Sequence, residues 1–381
     1  MLLGSLYTQL KLAEGLNFKT LFSINHNIGN QQSFYPLFTF TGGWSRTQGN
    51  GDGYAQDSRS QSTNTLLQGT LTYDKLIEKH NISAVLGASF EKNKSSFVKG
   101  WGEGFFNEVL TNITNATVFT GASSFETGSG LSSYFGRVNY DFDDKYLLTV
   151  SARVDGSSKF APDNQYAFFP AAAIAWRISN EDFLSDSSFI DELKLRASFG
   201  TTGQQDFGDY AWRTLFEAED YGPDPSVIIT QLGNANLKWE TTEQMDFGVD
   251  FSFFKGRFNG GFGYYSKETK DALFTTITPG STGYNRLIAN IGDTKNTGFE
   301  LELKGDVLRI NEFTWNLSLN VSKNKNTLTK IADDFKDENG FLTGFPGGGR
   351  LKEGSPIGLI YGYVAEGLFQ DQQVIDDLNT A

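Results

Sequence analysis

The stretch "YFGRVNYDFDDKYLLTVSARVDGSSKF", residues 134–160, decides the fold. Tyr134, Gly136, Val138, Tyr140 and Phe142 share one side of an extended chain, with Arg137, Asn139 and Asp141 on the other, because successive side chains of a strand point to opposite faces. After the acidic turn at Asp143 and Asp144 the alternation resumes: Tyr146, Leu148, Val150, Ala152 and Val154 oppose Thr149, Ser151 and Arg153. The spacing predicts a β-hairpin with one oily and one wet face. Which face points into the protein is then the deciding question.

Composition narrows the answer. The 381 residues include 34 Phe, 15 Tyr and 42 Gly but only 8 Pro and 2 Met, a mixture that favours strands over helices. A formal charge of -13 argues against nucleic acid, since phosphate binding needs a basic footprint. With no cysteine there is neither a disulfide framework nor a thiolate metal site. No apolar run is long enough for a membrane-spanning helix. The opening "MLLGSLYTQLKLAEG" lacks the basic-then-apolar pattern of a signal peptide, so the expectation is a cytoplasmic protein or a chain that begins inside its gene product.

The same hairpin design recurs along the chain. Residues 6–12 turn at "AEG" into "LNFKTLFSIN", and "NTLLQGTLTY" turns through "DKLIEKH" into "NISAVLGASFEKN". "YAFFPAAAIAWRIS" leads to "LKLRASFG", "MDFGVDFSFF" turns at Lys255 and Gly256 into "RFNGGFGYYSK", and "NTGFELELKG" pairs with "FTWNLSLNVSKNKN". A further strand start, "PIGLIYGYVAEG", has no visible partner, which brings the expected count to about thirteen. Turns within hairpins are short, whereas the connections between hairpins, such as residues 200–239, are long. Each apolar face covers about nine to eleven residues, enough to cross a bilayer at a tilt. Tyr140 and Tyr146 flank a short turn and Trp176 lies near another, at the heights of an interfacial aromatic girdle.

Periodicity leaves two architectures open. In "FTWNLSLNVSKN" Phe313, Trp315, Leu317, Leu319 and Val321 oppose Thr314, Asn316, Ser318, Asn320 and Ser322. A soluble secreted β-sandwich that binds carbohydrate wets its second face in this way. A membrane barrel inverts the arrangement, with lipid outside and water or a plug within.

Several segments, in order, resemble the SusC/RagA class of TonB-dependent outer-membrane transporters: "SSYFGRVNYDFDDKYLLTVSARVDGSSKF", "YAFFPAAAIAWRISNEDFL", "LKLRASFGTTGQQ", "NLKWETTEQMDFGVDFSFFKGRFNGGFGYYSKETKDALF", "NTGFELELKGDVL" and "GSPIGLIYGYVAEGLFQ". The resemblance implies an all-β, antiparallel transmembrane β-barrel in the outer membrane of a Gram-negative bacterium, with short periplasmic turns and long extracellular loops. It implies import of oligosaccharides or peptides, a SusD-like surface lipoprotein as lid, and energy from the TonB complex acting through an N-terminal plug. It makes the oily face the outside. Residues 1–381 match only the middle of such a barrel, so the chain is expected to be a fragment without plug or C-terminal strands. An enzyme is not expected, and no cofactor is implied.

Other features carry weaker readings. His26 and His80 stand apart, without a second histidine at metal-ligand spacing, and are expected to be structural. "GNGDG" at residues 49–53 lacks the further acidic ligands of a calcium loop, and "FPGGGR" at residues 345–350 lacks the frame of a phosphate cradle. No Ser/His/Asp set emerges. Between residues 200 and 239, Tyr210, Trp212, Tyr221 and Trp239 stand among Asp206, Asp209, Glu217, Glu219 and Asp220. Flat aromatic faces beside carboxylates suit sugar rings, which offer apolar C–H faces and hydroxyl edges. These four aromatics are the candidate ligand contacts, and the alternative is that they pack the loop against itself or its lid.

Overall fold

The computed structural model describes residues 1–36, 38–39, 53–185, 187–221, 224–278, 281, 283–284, 286–310, 312–343, 350–360, 362 and 372–373. Fourteen strands are assigned: β1 (Leu2–Ala13), β2 (Leu16–Tyr35), β3 (Tyr54–Ile77), β4 (His80–Glu103), β5 (Val118–Phe142), β6 (Tyr146–Ser157), β7 (Tyr166–Arg177), β8 (Ile190–Gln204), β9 (Leu215–Tyr221), β10 (Asp224–Gln231), β11 (Glu240–Phe253), β12 (Phe258–Ile277), β13 (Arg286–Ile310) and β14 (Phe313–Ile331). Twelve of them form one sheet in the order β1-β2-β3-β4-β5-β6-β7-β8-β11-β12-β13-β14, and β9 and β10 form a separate two-stranded sheet. Neighbours pair antiparallel throughout, and β1 and β14 stand at the two ends, so among the described residues the sheet is not closed.

The decisive hairpin is β5–β6. Asp143 and Asp144 both take positive φ, 56° and 54°, the twist that lets so short a turn join right-twisted strands. The Asp144 N–H donates to Asp141 Oδ1 at 2.9 Å, which offsets the strain of two left-handed residues. In the register that follows, Tyr140 lies opposite Leu148, Leu148 opposite Ile174, Ile174 opposite Ala197, Ala197 opposite Phe247, and Phe247 opposite Tyr264. One apolar row therefore crosses the middle of the sheet. It is not covered: Leu148, Ile174 and Phe247 are exposed. A sandwich would lay a second sheet over this face at about 10 Å, and among the described residues there is none. The sandwich alternative is thereby set aside.

The opposite face is held by hydrogen bonds. Asn64 Nδ2 donates to Glu91 Oε1 at 2.7 Å and to Asn93 Oδ1 at 2.6 Å, Thr149 Oγ1 to Asn139 Oδ1 at 3.0 Å, and Ser198 Oγ to Asp246 Oδ2 at 3.3 Å. Lys194 and Arg196 both pair with Asp250. Among the described residues, buried apolar packing gathers toward the long-connection end, in three clusters centred on Phe160, Leu237 and Trp239, on Ile291, Leu328 and Ile331, and on Ala55 and Phe105.

Strand ends depart from the sequence reading in two ways. The stretch "DKLIEKH" is not a long turn: Ile77 pairs with His80 and only Glu78 and Lys79 lie between, Glu78 at φ 52°. The long connections are shorter than expected, because β2 runs to Tyr35, β3 starts at Tyr54, β4 runs to Glu103 and β5 starts at Val118. Strands of 24 residues are far longer than a bilayer crossing requires, so the pairs continue beyond the apolar belt as polar ribbons. The predicted strand at "PIGLIYGYVAEG" is not assigned in its described part, residues 356–360, where Leu359 makes an isolated bridge to Arg350; most of its remainder lies outside the described residues. Among the described residues there are twelve strands in the main sheet plus the β9–β10 hairpin, against the expectation of about thirteen.

Candidate functional site

The connection from β8 to β11 carries the candidate residues, and it is tied down at its start by a lysine. Lys159 Nζ donates to the carbonyl of Phe207 at 2.7 Å and stands 3.8 Å from Asp209 Oδ1, while Thr127 Oγ1 donates to Asp209 Oδ2. Tyr210 follows at φ 62°, left-handed for a residue with a side chain, and its carbonyl accepts from the Arg213 N–H at 2.8 Å and from Gln231 Nε2 at 2.9 Å. The close approach of Gly233 completes the turn, since a Cβ there would lie 2.4 Å from the Arg213 carbonyl carbon.

The four aromatics take different places. Tyr210 is exposed and lines a cavity of about 460 Å³ with Gln61, Lys94, Ser96, Glu126 and Thr127. Trp212 packs on the edge of the Phe160 cluster, donates Nε1–H to the Ser158 carbonyl at 3.3 Å, and carries the Arg213 guanidinium 4.4 Å from its ring centroid. Trp239 is 7% exposed. Its ring lies 5.0 Å from Phe160 and 5.6 Å from Phe169, and its Nε1–H donates to the Gln165 carbonyl at 2.8 Å, so the ring is packed inside this cluster. Tyr221 ends β9 with its backbone opposite Asp224; its side chain, like those of Glu219 and Asp220, lies outside the described residues.

The Tyr210 cavity joins a cation, a carboxylate, hydroxyls and an amide to an aromatic ring, a set that can hold a polar ligand and stack against an apolar face. Sequence reasoning missed Gln61, Lys94 and Glu126, which sit on β3, β4 and β5. They come near Tyr210 only through the strand register, Gln61 opposite Ser96 and Ser96 opposite Glu126.

The remaining polar candidates are structural. His26 Nδ1 is 2.8 Å from Thr63 Oγ1, and His80 Nδ1 is 2.8 Å from Tyr140 Oη. Among the described residues no three His, Cys, Asp or Glu side chains gather as a metal site. "GNGDG", apart from Gly53, and "FPGGGR", apart from Arg350, lie outside the described residues.

At the short-turn end, Lys145 reaches Asp182 at 3.1 Å and Glu181 at 3.4 Å. The Asp182 contact, with Glu181 beside it, pushes the Lys145 ammonium up from its ordinary value. Glu181 is held below the carboxylate range, first by the hydroxyl of Tyr146 and then by the indole N–H of Trp176.

Comparison with known proteins fits this geometry. The family described as "TonB dependent receptor-like, beta-barrel" matches residues 4–356. TonB-dependent receptor P3 of Formosa agariphila is 35% identical over 379 residues, covering 96% of this chain and 37% of the relative. TonB-dependent receptor SusC of Bacteroides thetaiotaomicron is 35% identical over 267 residues, covering 67% of this chain and 26% of that protein. The structure of the RagAB peptide transporter superposes with a TM-score of 0.78 at 24% identity, over 89% of this chain and 38% of that one. The chain thus spans between about a quarter and two fifths of the length of these relatives. It belongs to the TonB-dependent receptor-like β-barrel family, with SusC among its relatives.

Proposed function

We propose that residues 1–381 form one barrel segment of an outer-membrane importer of a Gram-negative bacterium, which takes up oligosaccharides or peptides under a SusD-like surface lipoprotein and draws energy from the TonB complex. The observation that carries this reading is the exposed apolar row from Tyr140 to Tyr264, backed by a hydrogen-bonded polar face. Only a sheet with lipid on one side and water or a plug on the other is stable in that state. In this reading the whole transporter supplies the plug, the TonB-contacting segment and the strands that close the barrel. Tyr210 and Trp212 offer aromatic faces to the ligand at the mouth, Tyr221 is retained as a candidate contact on its place in the sequence, and Trp239 supports the connection from beneath.

The test is growth. A strain lacking the full-length gene is grown on single glycans or peptides as sole carbon source, with and without the gene restored. Loss of growth on at least one of them, recovered on complementation and again lost when TonB is removed, is the expected result. Unimpaired growth and unimpaired uptake of every glycan and peptide would overturn the reading.

A further inference from the structure

Toward the long-connection end, the apolar face of β13 and β14 turns basic. Hydrogen bonds fix which residues share a face: Tyr265 Oη donates to Asn324 Oδ1 at 3.1 Å, and Asn326 Nδ2 donates to Asn296 Oδ1 at 2.8 Å. Their sequence neighbours Lys295, Lys323 and Lys325 therefore stand on the other face, in line with Phe299, Leu319 and Val321. The register sets Lys323 opposite Phe299, Lys325 opposite Thr297, and Lys295 opposite Thr327. All three lysines are exposed, and none has an ion pair or side-chain hydrogen bond among the described residues. A carboxylate, Glu268 on β12, lies opposite Lys295, and the cations outnumber it. Just below the lysines the Phe262 and Phe299 rings stack at 6.4 Å, and Leu319 and Val321 are exposed. The arrangement recurs on β4, where exposed Lys92 stands one step above Phe90 on the same face, opposite Gly130.

We propose that Lys295, Lys323 and Lys325 bind the phosphate of an anionic lipid of the outer leaflet, whose acyl chains lie over Phe262, Phe299 and Val321. This rests on the outer-membrane placement proposed above. Lysine stems follow apolar surface while their ammonium groups reach for charge at the headgroup level. The chain as a whole carries -13, so an anionic surface repels it in general, and a local basic patch is what lets phosphate approach. Two features select a lipid over free phosphate. The apolar surface continues from the lysines without a break, and three cations spread over two strands of one open face enclose nothing, so the anion needs its chains to stay.

The test uses the full-length transporter in detergent, with lipid A, dephosphorylated lipid A and inorganic phosphate as probes, and counts retained molecules by native mass spectrometry. The triple variant Lys295→Gln, Lys323→Gln, Lys325→Gln should retain lipid A about tenfold less than wild type, and arginine at the same three positions should keep it. Both variants should keep the heat-modifiable gel band, because the side chains are exposed. Dephosphorylated lipid A should not distinguish wild type from the glutamine variant, and inorganic phosphate at equal concentration should not displace lipid A. Equal retention of lipid A by wild type and the glutamine variant overturns the site and leaves the proposed function standing. So does an equal loss of dephosphorylated lipid A, which would assign the contact to packing alone. Displacement by inorganic phosphate overturns the lipid as occupant. If the glutamine variant loses its gel band, wild-type retention across a salt series decides, and retention insensitive to salt overturns the proposal. Recovery of the full-length protein outside the outer-membrane fraction overturns the proposed function and this inference with it.

Discussion

Tyr146 and Trp176 lie opposite each other on β6 and β7 with rings stacked at 6.4 Å and 15°, and both donate to one oxygen, Glu181 Oε1, at 2.7 and 2.9 Å. Aromatics at a membrane interface have an apolar body and a polar tip, and here a carboxylate from the β7–β8 connection receives both tips. Lys145 closes the knot from the β5–β6 turn. Two hairpins are thereby joined at the short-turn end by side chains as well as by the ladder.

Glu181→Ala should free both aromatic tips, whereas Glu181→Gln keeps an acceptor. In the full-length transporter the alanine variant is expected to lower the temperature of the heat-modifiable gel shift, with the glutamine variant intermediate. Identical shifts for wild type and alanine would show that the knot contributes nothing to the barrel.

Sidedness is tested at Val150 and Ser151, neighbours on opposite faces of β6. Val150 lies opposite Val138 on the exposed apolar face, and Ser151 lies opposite Arg137 on the polar face. Val150→Lys should cost about 2–4 kcal/mol near the bilayer midplane, and Ser151→Lys much less. Folding of both full-length variants into lipid vesicles across a denaturant series measures the difference. Equal costs, or a larger one at Ser151, would reverse the assigned faces.

The hairpins were legible because alternation over nine to eleven residues is a strong periodic signal. Where that signal stops, the reading stopped too. Residues 54–62 of β3, "YAQDSRSQS", are polar on both faces and look like loop, yet they pair without a break with β2 and β4, because neighbouring strands supply a ladder the local sequence does not announce. β9 and β10 were hidden by Pro225 and a run of carboxylates, which mimic loop chemistry. Trp212 and Trp239 show the limit for sites. Both stand in one aromatic, acidic stretch, and packing by Phe160 and by Phe169 on β7, 70 or more residues earlier in sequence, makes Trp239 a core residue. Sequence proximity carries no information about which ring keeps a free face.

A pH dependence is expected in the segment after β14. Glu353 Oε2 accepts from the Ile331 N–H at 3.1 Å and from Lys336 Nζ at 3.2 Å, and Lys336 also reaches Asp333 at 3.0 Å. The Ile331 N–H, then Lys336, hold Glu353 below the carboxylate range, and Asp333, then Glu353, hold Lys336 above the lysine range. A carboxylate lowered on folding contributes stability above its unfolded value and loses it as pH falls through the folded one; a raised lysine contributes below its unfolded value and loses it as pH rises through the folded one. The segment should therefore be tightest between those ranges and loosen on either side. Hydrogen exchange at the Ile331 amide, scaled for its intrinsic pH dependence, should show protection at neutral pH and less at pH about 3. Protection unchanged at acid pH would remove Glu353 from the account.

In the proposed reading Tyr210 contacts the ligand and Trp239 supports the connection. Trp239 is packed on Phe160 and Phe169 beside Gly203, where a Cβ would lie 2.2 Å from the Phe169 ring and 2.9 Å from Trp239. Tyr210 has a free ring over the cavity that Lys94 and Glu126 also line. Tyr210→Ala should therefore weaken ligand binding to the full-length transporter by about 1–3 kcal/mol, five- to more than a hundredfold in Kd, with little change in barrel melting, because only a ligand-facing surface is removed. Trp239→Ala should act in the opposite sense: loss of a buried indole costs about 3–5 kcal/mol locally, so the connection loosens and its protease sensitivity rises even with no ligand present. Calorimetric titration with the glycan or peptide that supports growth, run beside limited proteolysis, distinguishes the two. If Tyr210→Ala binds as wild type while Trp239→Ala alone loses binding, the cavity is not the ligand seat and the aromatic cluster only shapes the loop.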